Sequence, residues 1–510
     1  MGAVVGLLAA CVALGTAELA AAAYGPGSSP LIAVGGAFID ATPEFLKSFA
    51  IRTFGENDKL VLLLGMGAVL ALAAAALGVA SIRRANVGIA GLVAFGVLGV
   101  AAAVTRPANG PADAIPTIVG IVVGIAAYRF LRRAAGLPAA TLPGTSPTDD
   151  SPKIRGFDRR RFLQASLASA GLAGGAAGLG RLLIGRADAS DSRAAAIIPA
   201  PADVAPATPA GADLGISDVT PFITPNARFY RVDTALFVPA VDASTWSLRV
   251  HGMVDRELSL DYDQLLARPL IERDITLNCV SNEIGGRYIG NARWIGAPLK
   301  DLLDEAGVQP GADQLVSTST DGFTLGTPTA VVMDGRDAML AVGMNGEPLP
   351  LDHGFPVRML VPGLYGYVSA TKWLVDLELS TFDAFDAYWI ERGWAEQAPV
   401  KTQSRIDTPR PFADLTAGTV AVAGVAWAQR RGIDGVEVRI DEGPWMEAEL
   451  ATEDTVDTWR QWVLRWAATP GRHTLQVRAT DGEGVTQTPI RATPFPDGAT
   501  GHHSVVVDVA

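Results

Sequence analysis

Four long apolar segments in the first third of the chain limit what it can fold into. They cover residues 3–23, 60–80, 87–104 and 114–131, and none carries the polar face of a helix at the surface of a soluble protein. Each is close to the ~20 residues that a helix needs to cross the ~30 Å hydrocarbon layer of a bilayer. The alternative is a set of buried core helices in a soluble protein. We expect residues 1–135 to form a region of four membrane helices.

Basic residues between these segments predict their orientation. Arg83 and Arg84 follow the second segment, and Arg129, Arg132 and Arg133 follow the fourth. Because Lys and Arg are enriched in cytoplasmic loops, the second and fourth segments are predicted to end inside the cell. The N-terminus is then also inside.

A fifth apolar stretch, residues 162–184, follows the basic cluster 153–161. The junction Arg-Arg-Arg-Phe-Leu, residues 159–163, resembles the twin-arginine export signal, although Asp158 and Gln164 replace the usual flanking residues. That resemblance implies export of a domain that folds around its cofactor before it crosses the membrane. The alternative is an ordinary basic stop before a membrane helix. We expect residues 136–184 to form a cytoplasmic basic segment with a fifth membrane helix, which leaves the remainder extracytoplasmic.

Charge and cysteine content exclude several classes of protein. The net charge of -12 argues against nucleic acid as a partner. The only cysteines are Cys11, in an apolar run, and Cys279, so neither a disulfide framework nor a zinc site built on paired cysteines is available.

The remainder of the chain reads as a linker followed by globular sequence. Residues 185–218 are rich in Ala and Pro, which predicts an extended, semi-stiff tether. From about residue 219, short strand-like runs alternate with helical ones, as in a mixed α/β domain. A strand over residues 274–278 is predicted to lead directly into Cys279.

An ordered series of motifs in this region resembles the molybdopterin domain of the sulfite oxidase family. The series consists of Thr-Leu-Asn-Cys-Val-Ser-Asn at 276–282, Gly-Asn-Ala-Arg-Trp-Ile-Gly at 290–296, His-Gly-Phe-Pro-Val-Arg at 353–358 and Lys-Trp-Leu at 372–374. The resemblance implies a mixed α/β catalytic domain at 219–395. It also implies a molybdenum–molybdopterin cofactor in the monophosphate form. Cys279 would be the catalytic residue and the protein ligand to the metal, a role that suits a soft thiolate. A small buried hydrophobic residue is the alternative for an isolated cysteine.

The same resemblance implies the residues that bind the pterin and its phosphate. Taken singly, such residues have ordinary explanations, as a turn Asn, a surface Arg in an ion pair or a hydrogen-bonded core His. The implied cofactor-binding set is Asn226, Phe229, Tyr230, Cys279, Thr320, His353, Arg358, Ser369, Ala370, Thr371 and Lys372.

One departure from the family pattern bears on the substrate. Sulfite oxidases follow the metal cysteine with Gly-Asn-Arg, whose Arg helps to bind sulfite, whereas here Val280, Ser281, Asn282 and Glu283 follow Cys279. An acidic residue near the metal repels a small dianion. Arg287 or Arg293 is a candidate substitute for the missing cation. We therefore slightly favour reduction of an organic sulfoxide or N-oxide over sulfite oxidation.

The last part of the chain, residues 396–510, is predicted to be an all-β, immunoglobulin-like domain. It resembles the dimerisation domain of the same family, which implies a homodimer. The sequence has no haem-attachment motif, no iron–sulfur cysteine set and no dinucleotide-binding motif in context, and all five His lie in the globular part.

Together these features predict a multi-pass cell-membrane protein with an extracytoplasmic catalytic domain. Its partners would be membrane lipid, a small-molecule oxo substrate and a separate electron-transfer partner. A non-catalytic surface receptor that binds through the immunoglobulin-like domain is the alternative from a different class.

Overall fold

The computed structural model describes residues 1–54, 57–106, 108–137, 158–186 and 189–510. The chain divides into two compact units. One contains Met1–Asp188 with the short segment Thr234–Val238, and the other contains Ala189–Asp233 with Pro239–Ala510. The basic residues 153–157 lie outside the described residues.

The first unit is helical. Its helices are α1 (Gly2–Ala21), α2 (Pro30–Ala41), α3 (Glu44–Phe54), α4 (Asp58–Ala80), α5 (Ala85–Val104), α6 (Ile115–Ala134) and α7 (Arg159–Arg186). Five of the helices in the described part are long and apolar enough to cross a membrane, and they coincide with the five apolar stretches of the sequence. Helices α2 and α3 lie between the first two apolar segments, where no helix was predicted.

Small residues let these helices approach closely. A Cβ atom added to Gly6 of α1 would lie 2.1 Å from the carbonyl oxygen of Ala74 in α4. One added to Gly120 of α6 would lie 2.4 Å from the carbonyl oxygen of Ala13 in α1. Close backbone contact through Gly is typical of helices that associate within a membrane, where no hydrophobic effect drives packing. The Ala/Gly-rich composition therefore sets the spacing around α1.

The second unit begins with a mixed α/β region. Its strands are β1 (Ser247–Gly252), β2 (Leu258–Asp261), β3 (Ile271–Asn278), β4 (Ile289–Pro298), β5 (Gln314–Ser319), β6 (Thr324–Pro328), β7 (Met339–Met344), β8 (Glu347–Pro348), β9 (Arg358–Leu360) and β10 (Leu374–Ser380). Its helices are α8 (Ser190–Ala195), α9 (Tyr262–Leu266), α10 (Leu299–Ala306) and α11 (Thr329–Met333). The strands form two sheets, in the orders β2-β1-β10-β5-β6 and β3-β4-β7-β8, with β9 paired to β7.

Local sequence explains the ends of these elements. Asp261 caps α9 by accepting a hydrogen bond from the backbone N–H of Gln264, and the Gln264 side-chain oxygen accepts one from the Asp261 N–H. Gly307, with a φ of +72°, ends α10 in the left-handed conformation that glycine adopts without strain. Trp294 lies in β4 and is fully buried.

The last part of this unit is all β. Its strands are β11 (Gln403–Thr408), β12 (Asp414–Leu415), β13 (Gly418–Trp427), β14 (Ile433–Ile440), β15 (Trp445–Glu447), β16 (Glu449–Leu450), β17 (Arg460–Ala468), β18 (Gly471–Asp481) and β19 (His503–Val509). They form a sheet in the order β11-β13-β17-β16 and another in the order β12-β19-β18-β14-β15. Val422 and Trp462 of the first sheet share one hydrophobic cluster with Val438 and Val477 of the second. The two sheets therefore pack as layers, while the immunoglobulin-like assignment stays a prediction.

The segment 189–218 differs from the free tether that its composition predicts. The Arg193 guanidinium donates to the carbonyl oxygens of Pro348 (2.8 Å) and Leu349 (2.8 Å). Ala212 is 1% exposed, and the backbone N–H of Leu214 donates to the Gln461 side chain at 2.7 Å. Because these contacts hold it against the globular unit, the Ala/Pro-rich segment is part of that unit.

Candidate active site

Cys279 follows the last residue of β3, where its thiol is half-buried. Its backbone N–H donates to the carbonyl oxygen of Tyr288 at 2.9 Å, and its Sγ lies 2.9 Å from the Ser281 hydroxyl oxygen. Burial raises the pKa of the Cys279 thiol, whereas the Ser281 hydrogen bonds and the positive charge of Lys372 lower it. Without a bound cation the burial effect dominates, so this thiol favours its protonated form.

Four rings, those of Phe229, Tyr230, Trp294 and His353, form a packed group at the site. The rings of Phe229 and Tyr230 stack with centroids 5.2 Å apart. Phe229 also meets the edges of Trp294 at 5.8 Å and of His353 at 5.5 Å. Burial raises the pKa of the Tyr230 hydroxyl, and the negative charge of a Cys279 thiolate raises it further. Tyr230 therefore stays protonated near the thiol and can donate a hydrogen bond.

Arg358 supplies a buried positive charge to this group. It is 5% exposed, donates to the His353 carbonyl oxygen at 3.2 Å and lies 5.1 Å from the centre of the Trp294 ring. Its buried Nε has no hydrogen-bond partner, and no ion pair joins it to a carboxylate within the described part of the chain. Burial lowers the pKa of Arg358 to about 10. A buried guanidinium in this state favours a bound anion, since an unpaired charge away from water is costly.

Lys372 brings a second cation to the site. Its ammonium lies 2.6 Å from an Asp233 carboxylate oxygen and donates to the Asp352 carbonyl oxygen at 3.2 Å. Burial lowers the pKa of Lys372 to about 8, against the opposing effect of Asp233. Burial, with the positive charges of Arg358 and Lys372, also lowers the pKa of His353 to about 4. The His353 imidazole is therefore neutral at pH 7.

The loop before Lys372 is held mainly by bonds within the protein. The fully buried Ser369 hydroxyl donates to the carbonyl oxygens of Leu364 and Tyr365, at 3.1 and 3.0 Å. The Thr371 hydroxyl is also fully buried and pairs with that of Ser317. Ala370 is half-buried, and its backbone N–H donates to the Gly366 carbonyl oxygen. The hydroxyls of Ser369 and Thr371 are therefore already engaged by the protein.

Two residues of the implied set are arranged differently from the rest. The Asn226 amide accepts from Asn345 at 2.7 Å and donates to Glu347 at 3.1 Å, so its side chain is already engaged by the protein. Thr320 is exposed, and both its N–H and its hydroxyl donate to the Trp373 carbonyl oxygen. Neither hydrogen-bond pattern directs the side chain towards Cys279.

The loop that follows Cys279 is held by the C-terminal β region. The Arg405 guanidinium donates to the Gly286 carbonyl oxygen at 2.7 Å. His503 packs so closely on Gly285 that an added Cβ would lie 2.3 Å from its Nε2. Neither Arg405 nor His503 was expected at the site from the sequence.

One of the two candidate substitutes for the missing cation is already paired with a carboxylate. Arg293 is bound to both oxygens of the buried Asp274, at 2.7 and 2.8 Å, and cannot serve as a free cation. Glu283 and Arg287 are both exposed. Arg287 is thus the remaining candidate of the two.

The residues at Cys279 fit a cofactor that brings its own metal ligands. Within the described residues, no group of three or more His, Cys, Asp or Glu side chains could hold a metal ion. Arg358, with its unpartnered Nε, and Lys372 provide the positive charge that a phosphate-bearing pterin needs.

Comparisons with known proteins cover the region that contains Cys279. Residues 235–389 match the family model described as the oxidoreductase molybdopterin binding domain. The chain is 31% identical to human mitochondrial sulfite oxidase over 305 residues, which are 50% of this chain and 55% of that protein. For the mouse protein the values are 32% over 293 residues, 48% of this chain and 53% of that one. The chain thus spans about half the length of these curated relatives.

A shorter relative is covered more fully. The uncharacterized oxidoreductase YuiH of Bacillus subtilis is 31% identical over 153 residues, which are 30% of this chain and 74% of that protein. The fold is similar to that of the sulfane dehydrogenase SoxCD from Paracoccus pantotrophus, with a TM-score of 0.50 and 23% identity over 57% of this chain and 84% of that one. The match to the molybdopterin binding domain and the similarity to sulfite oxidases imply a molybdenum–molybdopterin cofactor. The chain belongs to the sulfite oxidase-type molybdopterin-dependent oxidoreductases.

Proposed function

We propose that this protein transfers an oxygen atom to or from a small substrate, with molybdenum bound to Cys279. The observation that carries the proposal is the buried, unpartnered Nε of Arg358 beside the Phe229–Tyr230 stack and the Cys279 thiol. A buried charge without a partner lowers the stability of a fold unless an anion binds to it, and a pterin monophosphate provides that anion.

The proposed roles of the side chains follow from their surroundings. When bound, the molybdenum–pterin supplies two-electron oxo-transfer chemistry. Cys279 provides one soft ligand, and the metal's charge would offset the burial that otherwise keeps its thiol protonated. Arg358 and Lys372 hold the phosphate, while the neutral His353 orients Arg358 through its carbonyl oxygen.

The pterin contacts need not all be side chains. Phe229 and Tyr230 supply aromatic surface, and the Ser369–Lys372 loop supplies backbone groups. Asn226 is proposed to act through its carbonyl oxygen, which lies 3.3 Å from the His353 Nε2. We propose no side-chain contact with the pterin for Thr320, which directly follows β5.

For the substrate we favour an uncharged organic sulfoxide or N-oxide, which the protein would reduce. Glu283 lies four residues after Cys279, and Arg293 is neutralised by Asp274, so the exposed Arg287 is the one candidate cation left to oppose the repulsion of a small dianion by Glu283. In that reaction the substrate oxygen leaves as water, two protons are taken up, and an external donor supplies two electrons.

Sulfite oxidation is the second candidate, and similarity to the two mammalian sulfite oxidases favours it. Steady-state assays of the purified protein with an artificial redox dye, run in both directions, distinguish the two. Sulfoxide turnover with a reduced dye and none of sulfite with an oxidised dye is expected. Sulfite turnover without sulfoxide activity would overturn the substrate preference and point to Arg287 as the anion-binding residue.

Metal analysis of the same preparation tests the class of protein. We expect about one molybdenum and one pterin per chain. A protein that is folded but contains neither, from cells that make the cofactor, would instead support the non-catalytic surface receptor.

We further propose that α1, α4, α5, α6 and α7 cross the cell membrane and that the catalytic region lies on its outer face. The lengths and apolar character of these helices support the crossing, and the arginines at 159–161 support export of a prefolded domain. Electrons would pass through a separate partner, and the C-terminal β region would form a homodimer.

A further inference from the structure

A second site lies on the face of the β12-β19-β18-β14-β15 sheet that is opposite its hydrophobic cluster. A pocket of about 690 Å³ is formed there by side chains of β14, β15, β18 and β19 and by the segment 486–491. Its lining includes three arginines, Arg439, Arg478 and Arg491, and contains no Asp or Glu. That composition is unusual in a chain with a net charge of -12.

The charges of these arginines are only partly compensated. Arg478 is paired with Glu437 at 2.8 Å. Arg439 donates to the Gln476 side chain at 2.5 Å, and its buried Nε has no partner. Within the described ranges, neither Arg439 nor Arg491 forms an ion pair with a carboxylate. The pocket therefore holds two uncompensated positive charges.

Trp445 fixes the position of two of these cations. Its ring centre lies 4.3 Å from the guanidinium carbon of Arg478 and 4.9 Å from that of Arg439. His502 meets the same ring edge-on at 5.4 Å and bonds to the Gln487 carbonyl oxygen at 3.0 Å. Burial lowers the pKa of His502, and the positive charges of Arg478 and Arg439 lower it further. The two guanidinium groups are therefore close enough to His502 to act on its charge. Stacking of this kind orders the guanidinium groups before a ligand arrives.

The geometry points to a binding site for an organic polyanion that carries at least two carboxylate or phosphate groups. Guanidinium groups bind both kinds of oxyanion in pairs of parallel hydrogen bonds. The volume lies in the range of ~300–1,000 Å³ that is typical of small-molecule sites, and a bare inorganic anion would leave most of it empty. The lining contains none of the proposed cofactor-binding residues, so the inference does not depend on the proposed function.

Calorimetric titration of the full chain in detergent tests the assignment. The probes are citrate, fructose 1,6-bisphosphate and inorganic sulfate at equal ionic strength. We expect citrate or the bisphosphate to bind at least tenfold more tightly than sulfate. Arg439→Gln and Arg491→Gln should each weaken that binding at least tenfold. Arg491 is exposed, so its variant tests the site even if the Arg439 variant does not fold.

Arg465→Gln is the matched control, because Arg465 is an exposed arginine on the other sheet, paired with Glu449. It makes the same change in net charge and should leave affinity unchanged. Absence of binding by both organic anions would overturn the proposal. So would equal affinity for sulfate, or an equal loss of affinity in the Arg465 variant.

Discussion

Replacing Arg358 by Met should stabilise the protein without its cofactor. Burial lowers the pKa of this group from 12.5 to about 10, which corresponds to about 3 kcal/mol at about 1.4 kcal/mol for each pKa unit. Arg358 is 5% exposed, so solvent screens little of this cost. The substitution also removes the hydrogen bond to His353, about 1 kcal/mol, and the contact with Trp294, about 1 kcal/mol. The net gain is about 1 kcal/mol, or about 2–4 °C in Tm.

Tryptophan fluorescence during heating measures this change selectively. All ten Trp lie between residues 246 and 466, so the signal reports on the globular unit and not on the helical one. Apoprotein comes from cells that do not synthesise molybdopterin. With cofactor bound, the wild type should unfold at a higher temperature than the Arg358→Met variant, because only the wild type gains the phosphate contact.

Arg405→Met is the matched control. Arg405 is as buried as Arg358 but is paired with Asp407 at 2.6 Å. Its loss leaves a buried carboxylate without that partner, which should destabilise the apoprotein by about 3–5 kcal/mol. If apo Arg358→Met unfolds at a lower temperature than the apo wild type, Arg358 is a structural cation and the argument for an anion at this position fails.

Three further outcomes are expected. Cys279→Ser should abolish turnover and leave the pterin content largely intact, because a hydroxyl is a harder and poorer ligand; equal activity would show that the metal is not bound there. Because burial lowers the pKa of Lys372 to about 8, and a bound phosphate favours its charged form, cofactor affinity should fall as pH rises through 8. Lys372→Arg should flatten that profile, since Arg keeps its charge; equal slopes would exclude Lys372 as the titrating group. Replacing Arg159 and Arg160 by Lys conserves charge but should leave the domain from residue 216 onward inside the cell, where external protease cannot reach it. Normal protease exposure would indicate an ordinary fifth helix.

The features that could be predicted from the sequence are those that depend on runs of consecutive residues. The long apolar segments predicted five of the helices, and the strand before Cys279 followed from the β-forming residues at 274–278. Helix α2 was missed because its 12 residues are too few to span a bilayer. It instead packs its buried Ala33 against Ala102 and Ala103 of α5, a contact that needs the tertiary structure.

The ion pairs and hydrogen bonds that position the residues of the candidate site could not be predicted in this way. Asp233, which pairs with Lys372, lies 139 residues before it, and Arg405 lies 119 residues after Gly286. Neither pair has a local spacing that distinguishes it from surface charges. Arg293 stood out as a free cation for the same reason, because its partner Asp274 becomes adjacent only when β3 pairs with β4.

Arg405 and His503 of the C-terminal β region both contact the loop after Cys279, so the structure of that loop depends on a distant part of this chain. Thr276, in the strand that leads to the cysteine, is bonded to the same β-rich region through Asp457 and Trp459. A recombination event that joined a foreign C-terminal segment to this catalytic region would therefore alter the loop after Cys279, even with every proposed cofactor-binding residue retained. New substrate preferences can thus arise from changes far along the chain, and the two regions should be inherited together.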